Sequence, residues 1–264
     1  MSNPYGSFIW YELMTSDAQQ AAAFYSSVVG WSFAPPDADA PIEYWHIGRS
    51  DGGSLGGMLQ LPDNMPSTGA TPMWLPYLSV ADVDEAVTAI TDDGGRTIMP
   101  KTTIDVGSFA LVTDPQGAPF YVMSAIAPAD NPHAASDVFS PTEAQHTRWN
   151  ELSTSNEEHA KAFYAAHFGF EFNQAMPMGD MGDYSFIDHH GQVLGAVMRQ
   201  GDPRERPHWL PYFGVTSITA AKSAVEANGG EVIAGPHQVP GGDWVVMGID
   251  PQGAAFGLVG PRVQ

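Results

Sequence analysis

The chain repeats itself, and this constrains its fold more than any other feature. The run Trp10-Tyr11-Glu12-Leu13-Met14-Thr15-Ser16 returns as Trp149-Asn150-Glu151-Leu152-Ser153-Thr154-Ser155, and Ala23-Phe24-Tyr25 returns at the same offset as Ala162-Phe163-Tyr164. Further on, Trp74-Leu75-Pro76-Tyr77 recurs as Trp209-Leu210-Pro211-Tyr212, and Asp114-Pro115-Gln116-Gly117-Ala118 as Asp250-Pro251-Gln252-Gly253-Ala254. The blocks keep their order and only short insertions fall between them. Residues 127–145 are rich in Pro, Ala, Asp and Ser without apolar periodicity, as a linker would be. The expected organisation is a domain over 5–126, a linker over 127–145 and a second domain over 146–262, each half folding as a unit.

Within a half, Phe8 to Met14 reads as a strand. Ser16 or Asp17 can then cap a helix that places Ala21, Phe24, Tyr25 and Val28 near one face, and Gly30 can end it in the left-handed conformation. The copy has Ser155 or Asn156 as cap and Gly169 as stop. Residues 43–47 and 53–61 are strand candidates. A second strand begins at Trp74, and its helix, near Val83 to Thr91, stops at Gly94-Gly95. A hairpin closes the half: Phe109 to Thr113 and Phe120 to Ser124 flank Asp114-Pro115-Gln116-Gly117, which suits a type I turn. Each half therefore reads βαβββ twice.

Composition narrows the partners. Thirty Asp and Glu against ten Lys and Arg give a formal charge of −20, which repels phosphate backbones and anionic headgroups. Nucleic acid and membranes are not expected partners. With no cysteine there is neither a disulfide framework nor a thiolate nucleophile. The N-terminus lacks the pattern of a secretion signal, no run is long and apolar enough to span a bilayer, and the protein is expected to be cytoplasmic.

Glu12 to Asp17, the Phe24-Tyr25 pair followed by Gly30-Trp31, and the Asp114-Pro115-x-Gly117 turn, each with its counterpart in the second half, resemble the vicinal oxygen chelate family of glyoxalases, bleomycin-resistance proteins and dioxygenases. The resemblance covers nearly everything outside 127–145. It implies an α+β fold in which four βαβββ modules form two cup-shaped sheets. This fold hosts isomerases, dioxygenases, epoxide-opening transferases and drug-binding proteins, so it does not by itself choose a function. Members such as glyoxalase I hold a divalent metal through His and Glu, two ligands from each module. Carried over residue by residue, those positions are Trp10, Gly57, Leu75 and Tyr121 in the first half and Trp149, Ala196, Leu210 and Gly257 in the second. None is a competent ligand for zinc, nickel or iron. No metal is therefore expected. No nucleotide cofactor is expected either, because no glycine cluster spells a dinucleotide or phosphate-binding motif.

Glu12 and Glu151 share a strand face with Trp10 and Trp149, since side chains alternate with period two. They are the candidate acid/base groups, against the alternative that they are structural carboxylates. Tyr77 and Tyr212, together with Tyr121 and Met123, are expected to form an apolar wall with hydroxyl handles that suits a planar ligand, or else to fill the space that a metal site would occupy. His46 is a further candidate for ligand contact, and counting along the repeat gives it Ser185 as counterpart. His189-His190 reads as a solvated turn, and Trp74 and Trp209, of opposite parity to the tyrosines, as core beneath the helices. The expected function is binding of a small apolar or aromatic molecule in a cup, with metal-independent acid/base chemistry of the isomerase or lyase type. The alternatives are a metal-dependent glyoxalase, lyase or dioxygenase, and a noncatalytic ligand-binding protein.

Overall fold

The structure is a computed structural model that describes residues 3–36, 43–62, 71–202 and 204–263. The first half contains β1 (Phe8–Thr15), α1 (Ala18–Val28), β2 (Ser32–Ala34), β3 (Tyr44–Gly48), β4 (Ser54–Gln60), β5 (Met73–Ser79), α2 (Val83–Asp92), β6 (Arg96–Ile104), β7 (Gly107–Thr113) and β8 (Pro119–Ala125). The second half contains β9 (Thr147–Thr154), α3 (Glu157–Phe168), β10 (Ala175–Pro177), β11 (Asp183–His189), β12 (Gln192–Arg199), β13 (His208–Gly214), α4 (Ile218–Ala227), β14 (Glu231–Gln238), β15 (Trp244–Ile249) and β16 (Ala255–Gly260).

Helix limits follow local chemistry. Asp17 caps α1 by accepting from the Gln20 amide at 2.9 Å, and Asn156 caps α3 through the His159 amide. Gly30 and Gly169 follow with positive φ, where a side chain would be strained. The strands build two mixed eight-stranded sheets in equivalent orders, β2-β3-β4-β1-β5-β8-β7-β6 and β10-β11-β12-β9-β13-β16-β15-β14. In each, the first strand of a module runs parallel to its last: Tyr11 pairs with Gly56 and Asn150 with Gly195. A Cβ on Gly56 would lie 1.8 Å from the Tyr11 carbonyl oxygen, and one on Gly195 equally close to that of Asn150. Both positions therefore require glycine.

Two strands escape sequence patterning. β2 is only three residues long. All but one of the nine residues of β6 are exposed, so there is no alternation to read.

By contact, the chain forms two compact units, each taking a module from either half: Met1–Ile9, Pro76–Ser136 and Trp149–Trp209 in one, Trp10–Leu75, Asp137–Arg148 and Leu210–Gln264 in the other. The first contains α2 and α3, and the second α1 and α4. In the second unit the buried Tyr25 hydroxyl donates to Asp250 at 3.1 Å and accepts from the Trp74 indole at 2.9 Å. In the first, Tyr164 donates to Asp114 at 3.3 Å and accepts from Trp209 at 3.0 Å. The repeated Phe-Tyr pair of each half thus reaches the Asp-Pro turn of the other. The second oxygen of Asp114 accepts the amides of Gln116, Gly117 and Ala118, so one carboxylate both shapes its turn and anchors a tyrosine. Trp74 and Trp209 lie in the core, as their parity implies.

The segment between the halves is exposed over 128–133. It is fastened further on: Asp137 pairs with the buried Arg49 guanidinium at 2.6 and 3.1 Å, and Val138 is buried.

Candidate functional site

The first strand of each half presents the same three-residue arrangement. In the first half the Trp10 indole N–H donates to the Tyr44 hydroxyl at 2.8 Å, and that hydroxyl is also hydrogen-bonded to Glu12. In the second half Trp149 donates to Tyr184 at 2.8 Å, and Tyr184 donates to Glu151 Oε2 at 2.6 Å. Both glutamates are buried, at 4% and 8% exposure, beside half-buried indoles. Burial, and then the neighbouring Glu12 carboxylate, push the Tyr44 phenol far above its ordinary value. It stays a neutral donor that holds the carboxylate in one orientation. Indole, phenol and carboxylate form a fixed relay, and the arrangement can supply an oriented proton acceptor on an aromatic surface.

Strand register explains the assembly. Glu12 pairs with Gly57, which pairs with His46 on β3; Glu151 pairs with Ala196, which pairs with Phe186. A Cβ on Gly57 would sit 2.1 Å from the Tyr44 hydroxyl oxygen, so the phenol occupies the space that a side chain there would take. Tyr44 and Tyr184 are absent from the sequence-based site. The readable signal was the repeat of Tyr44-x-x-Ile47 as Tyr184-x-x-Ile187.

The register corrects the reading of His46, and burial corrects that of His189, while His190 is an exposed turn residue. The counterpart of His46 is Phe186, not Ser185; a slip of one residue moves a side chain to the opposite sheet face. His46 is exposed and lies edge-on to Trp10 and Tyr44 at 6.3 and 5.5 Å. His189 is not in a solvated turn. It is buried, hydrogen-bonded to the backbone of Tyr5 and Phe168, and burial lowers its pKa.

The second module of each half carries the other sequence-derived residues. Tyr77 and Tyr121 pair across β5 and β8 and stack at 4.1 Å, with Phe109 against both, and Met123 pairs with Ser79 on β5 and Phe109 on β7. Both tyrosines are buried. Tyr212 pairs with Gly257 and its ring lies over that glycine, a Cβ on which would fall 2.3 Å from a ring carbon.

The residues present do not fit the divalent metal of the family's metalloenzymes. The carried-over positions hold Trp10, Gly57, Leu75 and Tyr121, and Trp149, Ala196, Leu210 and Gly257. The indoles donate to tyrosines, the three small residues Gly57, Ala196 and Gly257 have no side-chain donor atom, the leucines are buried, and Tyr121 is stacked. Among the described residues no group of three or more His, Cys, Asp or Glu is placed to hold an ion. A single carboxylate per half would leave a hard cation mostly hydrated.

Comparison with known proteins agrees with this architecture. Residues 10–123 match a model described as a glyoxalase-like domain, and residues 145–258 match that of the glyoxalase/bleomycin resistance protein/dioxygenase superfamily. CFP32 of Mycobacterium tuberculosis, provisionally named a glyoxylase, is 30% identical over 97% of this chain and 95% of its own length. The anthracycline biosynthesis protein DnrV of Streptomyces peucetius is 25% identical over 96% of this chain and 93% of its own. Among solved structures, the 2,3-dioxygenase LapB of Pseudomonas sp. KL28 superposes with a TM-score of 0.63 at 14% identity, covering 100% of this chain and 94% of that one. The Mn(II)-bound glyoxalase of Novosphingobium aromaticivorans gives 0.63 at 15%, covering 98% and 83%. Identities this low speak for the fold alone. Two matched domains in tandem, and a relative aligned nearly end to end, establish that this chain belongs to the glyoxalase/bleomycin resistance protein/dioxygenase superfamily.

Proposed function

We propose that the protein binds a small planar aromatic molecule on the sheet faces that carry Glu12 and Glu151, and that these carboxylates act on it as proton acceptors without a metal. The observation that carries this reading is the Trp–Tyr–Glu relay, built twice with the same partners. An indole edge and a phenol give a flat apolar contact, and the carboxylate that they hold is oriented rather than free to rotate. Tyr77, Tyr121, Met123 and Tyr212 are proposed as further ligand-facing residues of the second modules. The name of the DnrV relative, which places it in anthracycline biosynthesis, supports a polycyclic aromatic ligand. A small-molecule partner, rather than nucleic acid or membrane, and a cytoplasmic location belong to the same reading; the formal charge of −20 supports the first.

The test is calorimetric titration with 2-naphthol, compared between the wild type and the Trp10→Ala/Trp149→Ala double variant. Binding in the micromolar range that falls at least about ten-fold in the double variant is expected. No binding to the wild type would overturn the reading. Where a substrate is found, Glu12→Gln combined with Glu151→Gln should lower turnover by about 100-fold or more, the usual loss for a general base, with the unfolding midpoint nearly unchanged. Binding without turnover would leave ligand capture as the whole activity.

A further inference from the structure

The two halves repeat the relay but not the residue beside it. His46 stands in register with Gly57 and Glu12, and Phe186 in register with Ala196 and Glu151. Both rings make the same corner. His46 meets Trp10 at 6.3 Å and 77° and Tyr44 at 5.5 Å and 80°; Phe186 meets Trp149 at 6.0 Å and 82° and Tyr184 at 5.9 Å and 85°. One position therefore carries an exposed imidazole in one half and a half-buried phenyl in the other, each against a matching indole and phenol.

We infer that the two relays select different ligands: His46 makes the first favour an aromatic ring bearing a hydroxyl or carbonyl, and Phe186 makes the second favour an aromatic ring without one. This rests on the proposed aromatic ligand. An imidazole edge offers one donor and one acceptor to a polar substituent, whereas a phenyl at the same corner offers neither. A hydroxyl brought against the Phe186 ring loses water that the ring itself does not replace, which disfavours it there. Beside His46 the adjacent strands place Ala34 and Gly57, neither with a polar side chain; beside Phe186 they place Ala196 and Gln174, whose backbone carbonyl accepts the Phe186 amide at 2.9 Å, so Gln174 is a polar neighbour that also differs between the halves. Glu12 and Tyr44, the ionisable groups of the same face, have their equivalents in Glu151 and Tyr184, so they do not distinguish the halves.

The experiment is titration calorimetry with two probes of one shape, 2-naphthol and 2-methylnaphthalene, which differ by a hydroxyl against a methyl. In the wild type, 2-naphthol should bind at two sites about ten-fold apart in affinity, the size of one hydrogen bond. His46→Phe should reduce the tighter site to the level of the weaker, and Phe186→His should raise the weaker to the tighter. Neither exchange should weaken 2-methylnaphthalene. Each exchange places a ring where the other half already has it, and the wild-type comparison of the two probes stands even if a variant does not fold. Equal affinity of the wild type for both probes, or a hydroxyl preference unmoved by His46→Phe, overturns this inference while leaving aromatic binding intact. If neither probe binds, the proposed function fails and this inference with it.

Discussion

At the scale of single residues, the first strand of each half carries one buried carboxylate among groups that hydrogen-bond rather than coordinate. Trp10 and Trp149 stand at positions that the family resemblance assigns to a metal ligand, and each spends its N–H on a tyrosine that holds a glutamate. Tyr184→Phe should remove the acceptor of the Trp149 indole N–H and one donor to the Glu151 carboxylate. Urea unfolding should show a loss of about 1–3 kcal/mol, the cost of leaving a buried polar group unpaired; a loss no larger than that of an exposed Tyr→Phe change would show that the relay is slack. Glu12 and Trp10 were legible from strand parity. Tyr44 and Tyr184 were not, because their strands lie far from β1 and β9 in sequence and only the sheet register brings them together. His46 was matched to the wrong partner for the same reason: a repeat with insertions fixes a strand's presence before it fixes its register.

At the scale of elements, the repeated motifs of the family divide into those that hold the fold and those that face a ligand. The Phe-Tyr pair on α1 and α3 and the Asp-Pro-x-Gly turns are of the first kind, since Tyr25 bonds Asp250 and Tyr164 bonds Asp114. Desolvation raises both aspartates above their ordinary value, although the turn amides and the tyrosines pull the other way. The sign of the linkage follows. The unfolded carboxyls release their protons near pH 3.9, the folded ones only at higher pH. Through that window the folded state binds more protons, so these groups make stability fall as pH rises across it. In urea unfolding between about pH 3.5 and pH 7, the Asp114→Asn/Asp250→Asn variant should therefore lack a downward contribution that the wild type has. Matching pH profiles would contradict the assignment. Helix caps and turns were readable because their chemistry is local; β6 was not, because a strand exposed on both faces has no pattern to betray it.

At the scale of the whole molecule, we propose that the repeat domains run over 5–126 and 146–262, joined by 127–145, supported by the sheets, which take β1–β8 and β9–β16 separately. Each compact unit nevertheless takes a module from both halves. Limited proteolysis should cut first within the exposed 128–133, and the two fragments should still elute together on gel filtration. Early cleavage between Trp10 and Gly30, or separation of the fragments, would contradict this organisation. A fold that holds a metal in other members of its superfamily is proposed here to present an aromatic face with one carboxylate per half. Elemental analysis of protein expressed and purified without chelators is the decisive measurement. The expected result is no stoichiometric divalent metal; about one ion per half, lost in Glu12→Gln and Glu151→Gln, would overturn the metal-free reading.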